Sequence, residues 1–426
     1  MRISLLTPGT GHFYCGSCLR DHMLARALIM RGHDAVIHPL YLPLVLEDPE
    51  ETPDSPVLMG GINLYLQHGS ALFRRLPHGL TRWLDAPALL RFVARRGNLT
   101  DPGKLGRLTL STLLGEDGPM AREVDRLARY LEEAERPDVI LLSNILLCGV
   151  ARKLKARLRC PIVCTLQGEA PFLDELIEPY RGEAWRIIRE RARDLDRLLP
   201  VSRWYAEHMA LRLDLPPDRF QVVENGIALD GLGPADAAPP VPTIGYLARL
   251  CPQKGLHTLV EAFCRLTDLG GPENTRLRIA GVLLKEDRPY LARLEARLAE
   301  HGLTDRAEFL PNLSRADKLR FLRSISVLSV PALYGESFGL YLLEAMACGV
   351  PVVQPRHAAF PEVIEATGGG MLCRPDDPDD LGRTLARLLR NDEERRALGA
   401  AGRLGVQRHF TADKMAERVE AVLNAV

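Results

Sequence analysis

The sequence predicts an α/β chain of two doubly wound domains, each a parallel sheet covered by helices. Three observations carry this. The chain has 426 residues, too many for one ordinary core and suited to two domains of roughly 200 residues each. Short apolar runs alternate with longer segments of helical apolar spacing in both halves, as parallel strands with crossover helices require. The stretch 232–242, LGPADAAPPVP, is rich in Ala and Pro and reads as a semi-rigid linker between the two series. The two domains are expected to face each other across a cleft.

In the first half, Ile3-Ser-Leu-Leu-Thr7 reads as a buried strand. A glycine-containing loop follows, then a helix from about Cys18 to Met30. Its apolar stripe is Leu19, Met23, Leu24, Ala27, Leu28 and Met30, and Gly32 is placed to end it. Ala35–Ile37, Val139–Leu142, Ile162–Leu166 and Leu198–Val201 read as further strands. Residues 41–118 break the rhythm with many Pro and Gly and short amphipathic pieces, and read as an insertion. In the second half, strands are expected at Thr243–Leu247, Leu277–Ala280, Ala307–Leu310, Val327–Val330 and Val352–Gln354. Helices are expected at Gly255–Leu266, Tyr290–His301, Ala316–Arg323, Gly339–Ala347, Asp379–Leu389 and Glu393–Val406, with one more amphipathic helix at 412–426. The expected division is 1–231, the linker 232–242, and 243–411, with the last helix completing the first domain.

Composition removes several function classes. Lys plus Arg and Asp plus Glu both number 55, so the basic excess of a non-specific nucleic-acid binder is missing. Aromatics are 6%, too few for a base-stacking platform. Nine cysteines at low density, mostly in apolar stretches, predict packed thiols in a reducing, cytoplasmic compartment. Cys15 and Cys18 form a CxxC at a helix start, but no second ligand pair with zinc spacing follows. No secretory leader is expected ahead of the first strand, and no apolar run approaches the ~20 residues of a bilayer span. The helical piece Leu80–Arg96 carries Trp83, Leu84, Phe92 and several Arg. It reads as packed on the insertion, with peripheral membrane contact the less favoured reading.

The richest segment is Tyr334-Gly-Glu336-Ser-Phe-Gly-Leu-Tyr-Leu-Leu-Glu344-Ala-Met-Ala-Cys-Gly-Val-Pro351. A strand ends just before it, and a loop framed by Gly335 and Gly339 leads into a helix. Unpaired N–H groups at a helix start carry partial positive charge and suit a diphosphate. Glu344 in the second turn can accept hydrogen bonds from a vicinal diol, and Glu336 can reach a different hydroxyl. The second segment is Gly245-Tyr-Leu-Ala-Arg249-Leu-Cys-Pro-Gln-Lys254-Gly255. It puts Arg249 and Lys254 on a loop at the carboxyl end of a strand, where open α/β sheets bind ligands. Two fixed cations there would neutralise charge on a departing diphosphate. Asp376-Asp-Pro-Asp-Asp380 is acidic, but its place before a helix pattern makes it a cap.

These segments resemble the retaining family 4 glycosyltransferases of GT-B fold over nearly the whole chain, most densely from Gly245 to Cys373. The resemblance implies that Glu336 faces the transferred sugar and Glu344 the ribose hydroxyls. It makes Arg249 and Lys254 the diphosphate-binding cations. It gives Ser337, Phe338, Gly339 and Leu340 to the sugar-phosphate contact, largely through the main chain. Phe309 and Leu310 would hold the base. Asn225-Gly226-Ile227 matches the turn closing the first domain, although Ala228 stands where the family usually has Asp. Gly9 and Gly11 occupy the loop after the first strand, where the family brings backbone near the donor phosphate and acceptor; a plain strand–helix turn fits them equally. On the acceptor side the resemblance offers Gln167, Glu169 and His12. Gln167 replaces a histidine that relatives often carry, and glutamine can hydrogen-bond a sugar hydroxyl but cannot take a proton.

The implied function is transfer of a hexosyl unit from a nucleotide-diphosphate sugar to a hydroxyl acceptor (glycan, lipid-linked or small molecule). Retention of configuration, a front-face route, and no metal or other cofactor are expected. Two rivals stand beside it: a sugar-nucleotide 2-epimerase of the same two-domain shape, and a non-catalytic sugar-nucleotide-binding protein. A nicotinamide dehydrogenase fits less well, because Tyr14 stands where its glycine pattern needs Gly.

Overall fold

The computed structural model describes residues 1–9, 16–42, 57–59 and 102–426. They gather into two compact units, Met1–Glu224 with Met415–Val426, and Asn225–Lys414.

In the first unit, β1 (Arg2–Thr7), β2 (Asp34–Pro39), β3 (Val139–Leu142), β4 (Ile162–Leu166) and β5 (Arg197–Pro200) form one parallel sheet in the order β2-β1-β3-β4-β5. Leu5 pairs with Ile37 on one side and Leu141 on the other. Every residue of β3 and β4 is buried, which explains why these strands read as unbroken apolar runs rather than alternating ones. Helix α1 (Gly16–Met30) follows β1 and buries Leu24 and Leu28 completely.

Most of the expected insertion, including Leu80–Arg96, lies outside the described residues. Its far end departs from expectation. Residues Pro102–Leu114 form helix α2, which buries Leu113 and has Gly106 against the ring of Tyr180. The buried Arg191 donates to the Leu114 carbonyl at 2.9 Å. This helix is therefore part of the unit's own core. Helices α3 (Ala121–Tyr130), α4 (Ala151–Leu158), α5 (Ala170–Asp174), α6 (Tyr180–Arg191) and α7 (Arg203–Leu213) complete the layer.

The second unit's sheet holds β6 (Thr243–Leu247), β7 (Arg276–Gly281), β8 (Ala307–Pro311), β9 (Val327–Leu328), β10 (Val352–Pro355) and β11 (Gly370–Cys373). All pairs are parallel, in the order β11-β10-β9-β6-β7-β8. The order reverses beside β6, with β7 and β8 running one way and β9 to β11 the other. Its helices are α8 (Leu256–Cys264), α9 (Arg288–Glu300), α10 (Arg315–Arg323), α11 (Leu340–Ala347), α12 (Phe360–Thr367), α13 (Pro378–Arg390) and α14 (Asp392–His409). Ile244, Tyr246, Phe263, Ile279, Val353 and Leu385 share its core. Helix α12 and strand β11 are absent from the sequence expectation, because Pro361 and the run Gly368–Gly370 mask two short elements as one loop.

The chain divides at Glu224 rather than at residue 231, for a visible reason. The Ile227 N–H donates to the Phe410 carbonyl and the Ala412 N–H to the Ile227 carbonyl, each at 2.9 Å. Arg323 then binds the carbonyls of Gly231 at 2.7 Å and Gly233 at 3.2 Å. The segment expected to be a linker is thus strapped onto the second unit. The final helix, α15 (Ala412–Leu423), groups with the first unit from Met415 onward. There Glu420 takes Arg31 at 2.7 Å.

The acidic run before α13 acts as a cap. The Asp377 carboxylate accepts from the Asp380 N–H at 2.8 Å. Asp377→Ala is expected to lower stability by about 1 kcal/mol, read as a shift of the denaturant midpoint with unchanged slope. An unmoved midpoint would remove the capping role.

Candidate functional site

The loop after β6 and the loop after β9 leave adjacent strands at the point where the second sheet's order reverses. That switch point is where open α/β sheets open a crevice at their carboxyl edge. The β6 loop is wound around one buried phenol, with Tyr246 donating its hydroxyl hydrogen towards the carbonyls of Arg249 and Lys254 at 3.1 and 3.4 Å. Gly255 then takes φ +70°, and a Cβ there would run into the Pro331 carbonyl, so only glycine lets the two loops close up. The Leu333 N–H, reaching the Gln253 carbonyl at 3.0 Å, stitches them together.

Of Glu336, Arg249 and Lys254, the three residues expected to act in catalysis, this stitching brings together Lys254 and Glu336. Lys254 Nζ lies 2.6 Å from Glu336 Oε2. The ammonium also sits 4.8 Å from the Tyr334 ring centroid and 5.7 Å from that of Tyr341. The Tyr341 hydroxyl donates to the same carboxylate oxygen at 3.1 Å. Burial works against the charged Lys254, but Glu336 and Tyr334 raise its pKa above the usual lysine value, so the cation persists. Burial and the Glu336 charge push the Tyr341 phenol well up, which keeps it a neutral donor.

Arg249 shares the loop but points elsewhere. Its Nε contacts Asp287 Oδ2 at 2.9 Å and its Nη2 contacts Glu286 Oε1 at 3.4 Å. Glu344, on α11, is paired with Lys318 of α10 at 2.8 Å. Gly339 opens α11 with φ +90°. Ser337 and Phe338 are buried, and the Phe338 ring packs edge-on against Phe410 at 5.8 Å. The Phe338 side chain is therefore committed to packing, which leaves main chain for any ligand. Leu340 begins the helix. Phe309 and Leu310 lie on the sheet's last strand, β8, opposite Ile279 and Ala280 of β7.

The first unit treats its expected residues differently. Gly9 has φ +86°, and a Cβ there would strike the Leu42 carbonyl. Its close approach is to the protein's own chain. Gly11, His12 and Cys15 lie outside the described residues; Cys18 is buried. Glu169 is a buried structural anchor. Its carboxylate accepts from the N–H groups of Gln167 and Gly168 at 3.0 Å each and from the Tyr205 hydroxyl at 3.0 Å. Burial raises its pKa, and the N–H groups of Gln167, Gly168 and Glu169 itself, with the Tyr205 hydroxyl, act in the opposite direction.

Gln167 joins a network that spacing does not reveal. Its amide Nε2 donates to the Ser143 carbonyl at 2.7 Å and to Asp21 Oδ1 at 3.3 Å. Asp21 also accepts from the Ser143 hydroxyl and pairs with Arg20 at 3.1 Å. Burial pushes the Asp21 carboxyl up, with Arg20 and Ser143 pulling it back. Both Nε2 partners are acceptors, which fixes the amide so that its carbonyl oxygen is turned away from them.

Sequence reasoning missed Tyr334 and Tyr341 as partners of Glu336, although they stand two residues before it and five after. It also missed Lys318, which no local signal marks. Among the described residues no group of three or more His, Cys, Asp or Glu could hold a metal ion, and no helix is long and apolar enough to cross a membrane.

Two family profiles match the chain. One, described as glycosyl transferase 4-like domain, covers residues 20–226, and the other, glycosyl transferases group 1, covers residues 236–405. A D-inositol 3-phosphate glycosyltransferase of Salinispora tropica is 32% identical over 345 residues, which is 73% of this chain and 68% of that protein. A protein of the same name from Mycobacterium sp. (strain KMS) is 30% identical over 210 residues, 46% of this chain and 45% of its own length. The matched part of the chain thus spans about half of that relative. Among solved structures, Anabaena HepE in complex with UDP superposes with a TM-score of 0.70 at 16% identity, covering 100% of both chains. At that identity the likeness is one of fold.

Proposed function

The chain belongs to the family 4 glycosyltransferases of GT-B fold, and from that premise we propose that it transfers a hexosyl unit from a nucleotide-diphosphate sugar to a hydroxyl acceptor. The observation that carries this is the Lys254–Glu336 pair, held at 2.6 Å where the second sheet's order reverses. Lys254 and the start of α11 supply positive charge for a diphosphate, and Arg249 on the same loop joins them in the proposed complex by turning from Asp287 and Glu286. Glu336 and Glu344 supply acceptors for sugar and ribose hydroxyls. The relative bound to UDP in its crystal makes a uridine nucleotide the first donor to assay.

The proposed reaction retains configuration by a front-face route. The bond from the anomeric carbon to the diphosphate oxygen breaks, and the acceptor oxygen bonds to that carbon on the same face. The acceptor proton passes to the departing phosphate oxygen. Lys254 stabilises the charge that grows on this leaving group. The two cations meet the diphosphate charge that a metal meets in other transferases, so we propose a metal-independent reaction. Gln167 suits an acceptor-side contact through its amide oxygen. Because relatives are named D-inositol 3-phosphate glycosyltransferases, an inositol phosphate is one acceptor to assay.

The test pairs binding with turnover. UDP-, GDP- and ADP-sugars are screened by melting temperature. The true donor at a hundred times its Kd should add about 2.7 kcal/mol to stability. Nucleoside diphosphate release with acceptor, unaffected by chelator, is then expected. Epimer formed from UDP-N-acetylglucosamine alone would favour the isomerase instead, and binding with no transfer to any acceptor would favour a sensor.

A further inference from the structure

The geometry points to Lys318 as a positioning residue: we propose that it fixes the Glu344 carboxylate for recognition of the ribose hydroxyls of a nucleoside diphosphate. This rests on the donor-site reading above and extends it to a residue outside the motif segments.

Helix α11, Leu-Tyr-Leu-Leu-Glu-Ala-Met-Ala, carries Glu344 as its single charged residue. A lone carboxylate on an apolar helix needs a partner when it is withdrawn from water. Glu344 and Lys318 side chains are only 17% and 16% exposed, and they meet at 2.8 Å. Helix α10 holds four basic residues, and the other three are engaged elsewhere. Arg315 binds the Asp230 carbonyl, Arg320 pairs with Asp317, and Arg323 binds the carbonyls of Gly231 and Gly233. Lys318 alone among them turns to Glu344.

The contact falls on Oε1. A glutamate side chain has three rotatable bonds, and pinning one oxygen removes most of that freedom before a ligand arrives. The second oxygen is then pre-set to accept from a vicinal diol, and less ordering is left to be done on binding. Lys318 also follows β8 closely in the chain, so the element assigned to the base and the residue orienting the ribose acceptor belong to one stretch, Ala307–Arg323.

Titration calorimetry tests the assignment with UDP, GDP and ADP and with their 2′,3′-dideoxy counterparts. Lys318→Met should weaken the best-bound ribonucleotide roughly tenfold, the scale of one charge-assisted contact. It should change the matching dideoxynucleotide less than about twofold, because the diol is gone. Lys318→Arg should recover most of the affinity. In a Glu344→Gln background Lys318→Met should add nothing further. Equal weakening of the ribo and dideoxy forms, or full additivity with Glu344→Gln, overturns the proposal and leaves Lys318 a stability element. Circular dichroism and melting temperature report whether each variant folds, and the arginine variant keeps the charge if the methionine variant does not fold. If Glu344→Gln weakens the ribonucleotide and Lys318→Met does not, only the Lys318 assignment fails. If Glu344→Gln changes nothing, or no nucleotide binds the unaltered chain, the donor-site reading fails and takes the proposal with it.

Discussion

Lys254→Met is expected to cut turnover at saturating donor by roughly 100- to 1,000-fold, the usual cost of removing one pre-set charge donor from a developing anion. The reason is local. Lys254 Nζ is held at 2.6 Å from Glu336 and faces the rings of Tyr334 and Tyr341. It is therefore oriented before any ligand arrives, and reorganisation at the moment of bond breaking is small. Lys254→Arg should be intermediate, because the charge is kept but the compact point charge becomes a planar fork. The measurement is kcat from nucleoside diphosphate release, taken beside the donor KM. A fall confined to kcat places the contact in the transition state; a rise confined to KM makes it a ground-state contact. Removing the lysine also leaves the Glu336 carboxylate without its cation, so melting temperatures must accompany the kinetics. Unchanged kcat in a folded Lys254→Met variant would end the electrostatic role assigned to it.

The second large effect belongs to stability. Asp21→Ala is expected to cost about 3–5 kcal/mol, because it strips the counter-charge from a buried guanidinium. Arg20 and Asp21 side chains are 0% and 2% exposed and meet at 3.1 Å. Arg20 also reaches the Thr165 hydroxyl at 3.3 Å, and Asp21 serves Ser143 and Gln167. The loss should therefore exceed that of an ordinary surface pair, worth about 0–1 kcal/mol. Urea unfolding reads it directly. The double replacement Arg20→Met with Asp21→Leu should recover much of the loss, because apolar pairs of similar volume replace buried ion pairs well. An Asp21→Ala midpoint equal to that of the unaltered chain would show that the pair contributes nothing. The same variant removes one of the two acceptors that hold the Gln167 amide, so its acceptor KM should also rise.

Much of this was legible in the residues alone. Parallel strands buried on both faces leave unbroken apolar runs such as Val139–Leu142 and Ile162–Leu166, and both emerge as strands with those bounds. Thr243–Leu247 does likewise. Gly339 ahead of an octet apolar but for Glu344 announced α11, and the Asp-rich run announced the cap on α13. These signals are local: side-chain period, turn chemistry and capping act within one turn or one strand, and the chain writes them in order.

Which distant groups meet is settled by folding. Lys254 and Glu336 are 82 residues apart, and they become partners because β9 lies beside β6 in the sheet. Glu344 was foreseen as an acceptor, but its cation comes from a helix 26 residues earlier. Glu169, an acceptor-side candidate by resemblance, is a buried anchor, since only the folded backbone could bring the N–H groups of Gln167 and Gly168 onto it. A charge carries no periodicity that names its partner. Local residue patterns therefore set the layers and the loops that bear the chemistry, while strand order and burial set how those charges are paired.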